Sequence, residues 1–147
     1  MKSLSQKNIS VIFFFFLLVS FNVKGQEKTY TIEECVNTFS EDKTVKTKVG
    51  YQYWFADKDF LDGRTIKMSV VAPGKSTHAP HKHKEDEFFY VLEGTAKFYL
   101  NGKEVIVKEN TSLYCPSFSM HGISNAGVTE LKYLVIKKYQ KKLKSLR

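Results

Sequence analysis

The dipeptide Asn101-Gly102 constrains the fold of this chain most strongly. It separates two runs with strand-like alternation, residues 95–100 and 105–108, and an Asn-Gly pair between such runs is typical of a two-residue β-hairpin turn. Similar runs recur along the chain with turn signals about every 8 to 12 residues. The sequence predicts about nine short strands in an all-β antiparallel sandwich or barrel. The other runs are residues 48–56, 64–72, 88–92, 111–115, 121–124 and 130–138.

The first 25 residues are not expected to belong to that domain. Lys2 and Lys7 flank the start of an apolar run, residues 9–23, which is too short for a stable membrane span, and Gly25 offers a cleavage point. We interpret residues 1–25 as a secretory signal peptide, with an uncleaved anchor as the alternative. The mature protein is therefore expected to be exported, either periplasmic or secreted.

The formal net charge of +8 is concentrated at the two ends of the 147-residue chain. Three lysines lie in the leader and six basic residues lie in the last eleven, with no acid in either segment, so the intervening chain is nearly neutral. Residues 139–147 are predicted to form a solvated basic tail, with contact to an anionic polysaccharide or membrane surface as the alternative. Nucleic-acid binding is not indicated, because the charge does not extend across a folded face.

Between the leader and the barrel, residues 26–42 are predicted to carry a short helix. Thr31 and Glu34 have capping-box spacing, and the apolar residues of 31–39 recur with helical period. Residues 43–138 are then predicted to form the sandwich or barrel. The two cysteines, Cys35 and Cys115, could pair in an oxidising compartment or remain free thiols, and spacing alone leaves both alternatives open.

A candidate metal site lies in and after the stretch 74–94. His81 and His83 alternate, as residues on one face of a strand do, Glu87 follows four residues later, and His121 comes from a later strand. Three neutral imidazoles and one carboxylate suit one divalent transition-metal ion, namely iron, manganese, nickel, zinc or copper, and leave coordination positions open. Surface histidines in a lysine-rich loop are the alternative.

These residues resemble the two motifs of the cupin superfamily. Gly74, His81, His83, Glu87 and Gly94 match the first motif, with one extra residue after Gly74. Pro116, His121 and Asn125 match the second motif. Its two glycines are replaced by Asn110 and Phe118. The resemblance implies a single-domain conical antiparallel β-barrel, of the jelly-roll or double-stranded β-helix kind, with a metal ion held inside.

A metal-bound substrate usually needs one positioned proton carrier. Tyr53 and Lys67 are the preferred candidates, since their strands could line the mouth of the barrel. Weaker candidates are Tyr51, Arg64, His78, Tyr90, Tyr99 and Tyr114.

The resemblance implies three classes of function. The first is an exported enzyme that uses the metal as a Lewis acid on a small sugar, sugar acid or carboxylate, as an isomerase, epimerase or lyase. The second is an iron-dependent dioxygenase with the same ligands. The third is a cupin that binds a carbohydrate or another small molecule without turnover. A small-molecule ligand and a homodimer are the expected partners.

Overall fold

A computed structural model describes residues 29–140 of the chain. The chain divides into two compact units, Met1–Thr31 and Ile32–Arg147, and the described part of the first is limited to residues 29–31. The predicted signal peptide and most of the predicted basic tail lie outside the described residues. Within residues 29–140, no helix combines the length and the apolar character needed to cross a bilayer.

The described residues form nine β-strands in two antiparallel sheets, which confirms the predicted all-β fold. The strands are β1 Val45–Thr47, β2 Gly50–Leu61, β3 Arg64–Val71, β4 Glu87–Glu93, β5 Ala96–Leu100, β6 Lys103–Val107, β7 Thr111–Cys115, β8 His121–Asn125 and β9 Leu131–Lys138. The larger sheet has the order β1-β2-β3-β9-β4-β7, and the smaller one has the order β6-β5-β8.

The hairpin between β5 and β6 turns where the sequence predicts it. Asn101 and Gly102 both have positive φ, 47° and 87°, as a type I′ turn requires. The preceding strand β5 also pairs with β8, so that Leu100 lies opposite His121. The hairpin therefore fixes the strand that carries one of the four predicted metal ligands.

Strand alternation places the core on both faces of the larger sheet. The main cluster, between the two sheets, contains Val71, Phe89, Val91, Ala96, Phe98, Leu113, Cys115, Ile123, Leu131 and Tyr133. A second cluster is formed by Tyr53, Met68 and Val70, which have the opposite parity to the main cluster on their strands. Tyr53 and Met68 are cross-strand partners, so the side chain of Tyr53 faces away from the space between the sheets.

The N-terminal helix is present but shorter than the predicted residues 31–39. The helix α1 covers Ile32–Cys35 and buries none of its residues. The chain then leaves the helix to make tertiary contacts: the Asn37 amide donates to the Phe55 carbonyl at 2.6 Å, and the Phe39 ring lies edge-on to Tyr53 at 5.0 Å. These contacts override the helical periodicity, which is a weak signal over one turn.

Both cysteines are free thiols, of which Cys35 is exposed and Cys115 is buried. The predicted homodimer stays a prediction, because the structure is that of one chain.

Candidate metal centre

The two segments that carry the histidines are joined by a β-bridge. His81 and His121 each donate their backbone N–H to the other's carbonyl at 2.9 Å. This bridge is isolated, so the H-x-H segment is not the regular strand that its alternation predicts. His83 lies beyond the bridge in a loop, where its carbonyl accepts a hydrogen bond from the backbone N–H of Phe118 at 2.7 Å.

The four predicted ligands converge in space. The three imidazoles have ring centroids 4.8 to 5.4 Å apart, and their candidate ligand nitrogens all lie within 4.8 Å of one another. Glu87 is buried at the start of β4. Its two carboxylate oxygens lie 3.0 Å from His121 Nε2 and 3.6 Å from His83 Nε2. Ligand atoms about 2.0–2.2 Å from one ion would have similar mutual spacings.

Backbone carbonyls orient all three rings in the same way. The Nδ1 atoms of His81, His83 and His121 lie 3.2, 2.7 and 2.8 Å from carbonyl oxygens two residues away, those of Ala79, Glu85 and Ser119. Because a carbonyl only accepts, each Nδ1 carries the proton, and the Nε2 atom of a neutral ring then presents a lone pair, the form in which an imidazole binds a metal.

This donor set fits a divalent transition-metal ion. When the His121 ring is neutral and its proton is on Nδ1, the Nε2 atom is an acceptor, as is the Glu87 Oε1 atom. These two acceptors nevertheless lie 3.0 Å apart in a buried setting. Two facing lone pairs are stabilised only by a cation between them, which is either a proton or a metal ion. Burial also lowers the pKa of His81, which favours its neutral, ligating form.

The site opens into a pocket of about 120 Å³ that also contains two lysines, Lys67 and Lys137. Lys137 Nζ lies 2.9 Å from His83 Nε2 and 3.7 Å from a Glu87 oxygen. Burial lowers the pKa of Lys67, a shift that the nearby charge of Glu87 opposes. The other lining residues are Trp54, Thr65, Thr77, His78, His81, His83, Glu87, Phe89, Gly122, Ile123, Tyr133, Val135 and Tyr139.

Of the two predicted proton carriers, the structure brings Lys67 to the pocket but not Tyr53. The Tyr53 side chain is buried in the second cluster, and its hydroxyl contacts Asn37 Oδ1 at 2.8 Å and the Thr38 carbonyl at 2.9 Å. The pocket-facing aromatic residue of the same strand is its neighbour, Trp54. Among the weaker candidates, the pocket lining includes His78.

Sequence reasoning missed Lys137, which it counted among the basic residues of the C-terminal end. The signal that could have found it is the alternation of β9. Leu131 and Tyr133 are buried in the main cluster, and the same parity continues through Val135 to Lys137. The strand therefore carries its ammonium group into the pocket.

Asn110 and Phe118 stand where the motif has glycines, and both adopt a backbone conformation that favours glycine. Asn110 and Phe118 both have φ of 60°, in the left-handed region that glycine occupies without strain. Phe118 is 69% exposed, so this bulky side chain points to solvent rather than into the site. With this positive φ, the Phe118 N–H donates to the His83 carbonyl.

The fold and the site together define a class: a double-sheet antiparallel β-barrel with a histidine-rich candidate metal centre inside. A family model for the cupin domain, Cupin_2, matches residues 67–137. A crystal structure from Thermotoga maritima, described as a predicted oxalate decarboxylase, is 30% identical with a TM-score of 0.56, over 60% of this chain and 78% of that one. The chain belongs to the cupin superfamily.

Curated relatives match over the same domain. The oxalate-binding protein of Thermotoga maritima is 38% identical over 74 residues, which are 50% of this chain and 60% of that protein. The mannose-1-phosphate guanylyltransferase RfbM of Salmonella typhimurium is 32% identical over 71 residues, 48% of this chain and 15% of that enzyme. The chain thus spans less than two thirds of the length of these relatives, and the likeness concerns the cupin domain.

Proposed function

We propose that this chain is an exported cupin that holds one divalent transition-metal ion through His81, His83, Glu87 and His121 and uses it to bind and transform a small carboxylate. The observation that carries this proposal is the convergence of three oriented imidazoles and one carboxylate on a pocket that also contains Lys67 and Lys137. Export is supported by the N-terminal sequence.

The charge of the pocket supports an anionic ligand. Glu87 is one carboxylate, whereas Lys67 and Lys137 are two cationic groups facing the same small space, and a bound divalent ion would add a third. An anion entering this pocket would gain charge-assisted hydrogen bonds from the lysines, which are stronger than neutral ones. The likeness to a protein named for oxalate binding supports a carboxylate as the anionic group.

The size of the pocket limits the ligand. A cavity of about 120 Å³ accommodates only a few water-sized groups beside an ion. A bound ion would act as a Lewis acid that polarises a carboxylate or carbonyl oxygen. Lys67 would donate a hydrogen bond to the ligand's anionic group, and burial lowers its pKa, a direction that favours proton transfer to or from the bound ligand.

A non-catalytic binding module is the second candidate. The relative that is 38% identical is named for binding oxalate rather than for a reaction. The same ligands and lysines would serve such a module, in which Lys67 and Lys137 only hold the anion.

Metal content tests the first half of the proposal. The purified full-length chain is expected to contain about one transition-metal ion, measured by plasma mass spectrometry, and His83→Ala and His121→Ala should each weaken metal binding by more than about tenfold. His78→Ala is the matched control, since His78 lines the pocket but is not one of the four proposed ligands. Normal metal content in both ligand variants would exclude the assignment.

Carboxylate binding tests the second half. Calorimetric titration of the metal-loaded protein with oxalate should show binding that Lys67→Met and Lys137→Met each weaken by about tenfold or more, the value of one hydrogen bond to a charged group. Lys138→Met is the control, because Lys138 pairs with Asp62 at the surface. Loss of oxalate over time indicates an enzyme, oxygen consumption indicates the dioxygenase, and stable binding indicates the module. Equal affinity in wild type and both pocket variants contradicts the anion-binding role.

A further inference from the structure

We propose that Tyr139 is a specificity-determining wall that separates the metal pocket from an outer groove and so limits how far the ligand extends toward that groove. This inference rests on the proposed function, because it concerns the ligand of the same site. Tyr139 directly follows β9, where the sequence predicts the start of a solvated tail.

Tyr139 lines two cavities at once. One is the metal pocket of about 120 Å³. The other is a groove of about 450 Å³ whose remaining lining residues are Asp62, Lys84, Glu85, Asp86, Ser117, Lys138 and Gln140. Among the described residues, Tyr139 is the single one shared by the two linings. Tyr139 therefore lies at the boundary between the metal pocket and this groove, and a ligand that extended from the pocket in this direction would meet it. The pocket also adjoins a cavity lined by Thr77 and His78 and another lined by Thr65 and Lys137, so the wall acts in one direction.

The backbone of Tyr139 is fixed by the turn between β2 and β3. Its N–H donates to the Gly63 carbonyl at 2.8 Å, which extends the pairing of β3 and β9 beyond the end of β9. A side chain at Gly63 would collide with the Tyr139 carbonyl oxygen, and Gly63 has a φ of 74°. A glycine at this turn thus allows the close approach that holds Tyr139 at the pocket.

The ring of Tyr139 is fixed by two ammonium groups. Lys137 Nζ lies 5.0 Å from the ring centroid and Lys58 Nζ lies 5.7 Å from it, both within the range of cation–π attraction. Lys137 also contacts the proposed ligand His83. The ring therefore has a partner at the metal site on one side and a partner on strand β2 on the other, and both contacts favour the position that it occupies.

The test compares two hydroxy acids that differ in length. Glycolate and gluconate share a carboxylate with an adjacent hydroxyl, and gluconate adds a polyol chain. In the metal-loaded wild type, calorimetry should show a preference for glycolate. Tyr139→Ala should shift the ratio of the two dissociation constants toward gluconate by roughly tenfold or more, because a removed wall relieves exclusion of several chain atoms. Tyr139→Phe should keep the wild-type ratio, since the ring forms the wall.

A second readout needs neither metal nor substrate. Trp54 is the only tryptophan of the chain and lines the metal pocket, so quenching of its fluorescence by acrylamide reports how open the pocket is. Tyr139→Ala should raise the quenching constant. Tyr90→Ala is the control, because Tyr90 is exposed at its hydroxyl, which bonds to Asn110. Tyr139→Leu, which keeps apolar packing, serves if the alanine variant does not fold.

The outcomes separate the two proposals. If the metal-loaded wild type binds neither glycolate nor oxalate, the proposed function fails, and the quenching comparison alone decides the role of Tyr139. If Trp54 is quenched equally in wild type and in the folded Tyr139 variants, or if the affinity ratio does not change, Tyr139 is not the wall.

Discussion

Replacing Asn125 tests whether this motif residue closes the barrel rather than serving the metal. Asn125 ends β8 and is buried. Its amide nitrogen donates to the carbonyls of Val71 at 2.8 Å and Thr129 at 2.7 Å, and its amide oxygen accepts from the N–H of Gly127 at 2.8 Å. One side chain therefore joins the smaller sheet to the end of β3 and also shapes the turn before β9.

The cost of Asn125→Ala follows from these three bonds. Each is expected to contribute about 1 kcal/mol to the free energy of unfolding, and more where the partner is left buried without a replacement. The loss should total about 3 to 4 kcal/mol, which in a domain of this size lowers the melting temperature by roughly 10 to 15 °C. Asn125→Asp should be at least as unstable, because a carboxylate cannot donate to the two carbonyl oxygens and repels them.

Thermal unfolding followed by circular dichroism, together with metal content at 20 °C, checks this prediction. Both variants should retain metal when folded, since the three bonds go to backbone groups and not to metal-binding side chains. Asn110→Gly is the control, because it removes only an exposed 3.3 Å bond from Tyr90 at a position whose φ of 60° suits glycine. A loss below about 1 kcal/mol for Asn125→Ala, or loss of metal at normal stability, would refute the reasoning.

Three further predictions concern backbone strain, thiol reactivity and pH. Gly94→Ala should destabilise the fold far more than Gly102→Ala in thermal melts: both have positive φ, but an added Cβ at Gly94 would lie 2.6 Å from a backbone carbonyl oxygen, whereas Gly102 has open space; similar losses would contradict this. Cys35 should react with a thiol reagent at pH 8, while Cys115 reacts only after denaturation, because burial raises its pKa to about 12; two reactive thiols in the native protein would show otherwise. Burial lowers the pKa of Lys67, so Lys67 should lose its charge, and oxalate affinity should fall, at a pH below the value of about 10.5 at which an ordinary lysine deprotonates. Between the lowered pKa and about 10.5, the free energy of unfolding should rise with pH, because the unfolded chain binds a proton that the folded protein does not. In Lys67→Met, both trends should flatten, as calorimetry and melts at several pH values would show.

The fold could be predicted from the sequence because its signals are local. The Asn101-Gly102 turn and the alternation of its flanking runs each depend on a few adjacent residues, and the structure has that hairpin between β5 and β6. The extent of β2 could not be predicted, because its last residues pair with β3 across register shifts. The predicted helix is longer than the observed one because the contacts of Asn37 and Phe39 with β2, which end the helix, are long-range and leave no local sequence pattern.

The convergence of the four candidate ligands could be predicted from the sequence, whereas the residues around them could be predicted only in part. The spacing of His81, His83, Glu87 and His121 was sufficient to expect their convergence. To choose between Tyr53 and Trp54, one must know which face of β2 lines the pocket. The sequence does not show this, because aromatic residues occur on both faces of that strand. Lys137 was missed because it begins a basic C-terminal segment that resembles a solvated tail. The alternation of β9 nevertheless places its side chain in the pocket.

The departures from the motif show that its positions serve two separate purposes. His81, His83 and His121 supply nitrogen atoms, whereas the glycine positions supply a backbone conformation. Asn110 and Phe118 adopt that conformation with a φ of 60°, at a cost of roughly 1 to 2 kcal/mol for a residue with a Cβ. For Phe118, the N–H to His83 bond at 2.7 Å offsets part of this cost and fixes the loop that aims His83 at the pocket. A residue other than glycine can therefore occupy a motif glycine position with a positive φ, provided that its side chain points to solvent, as that of Phe118 does.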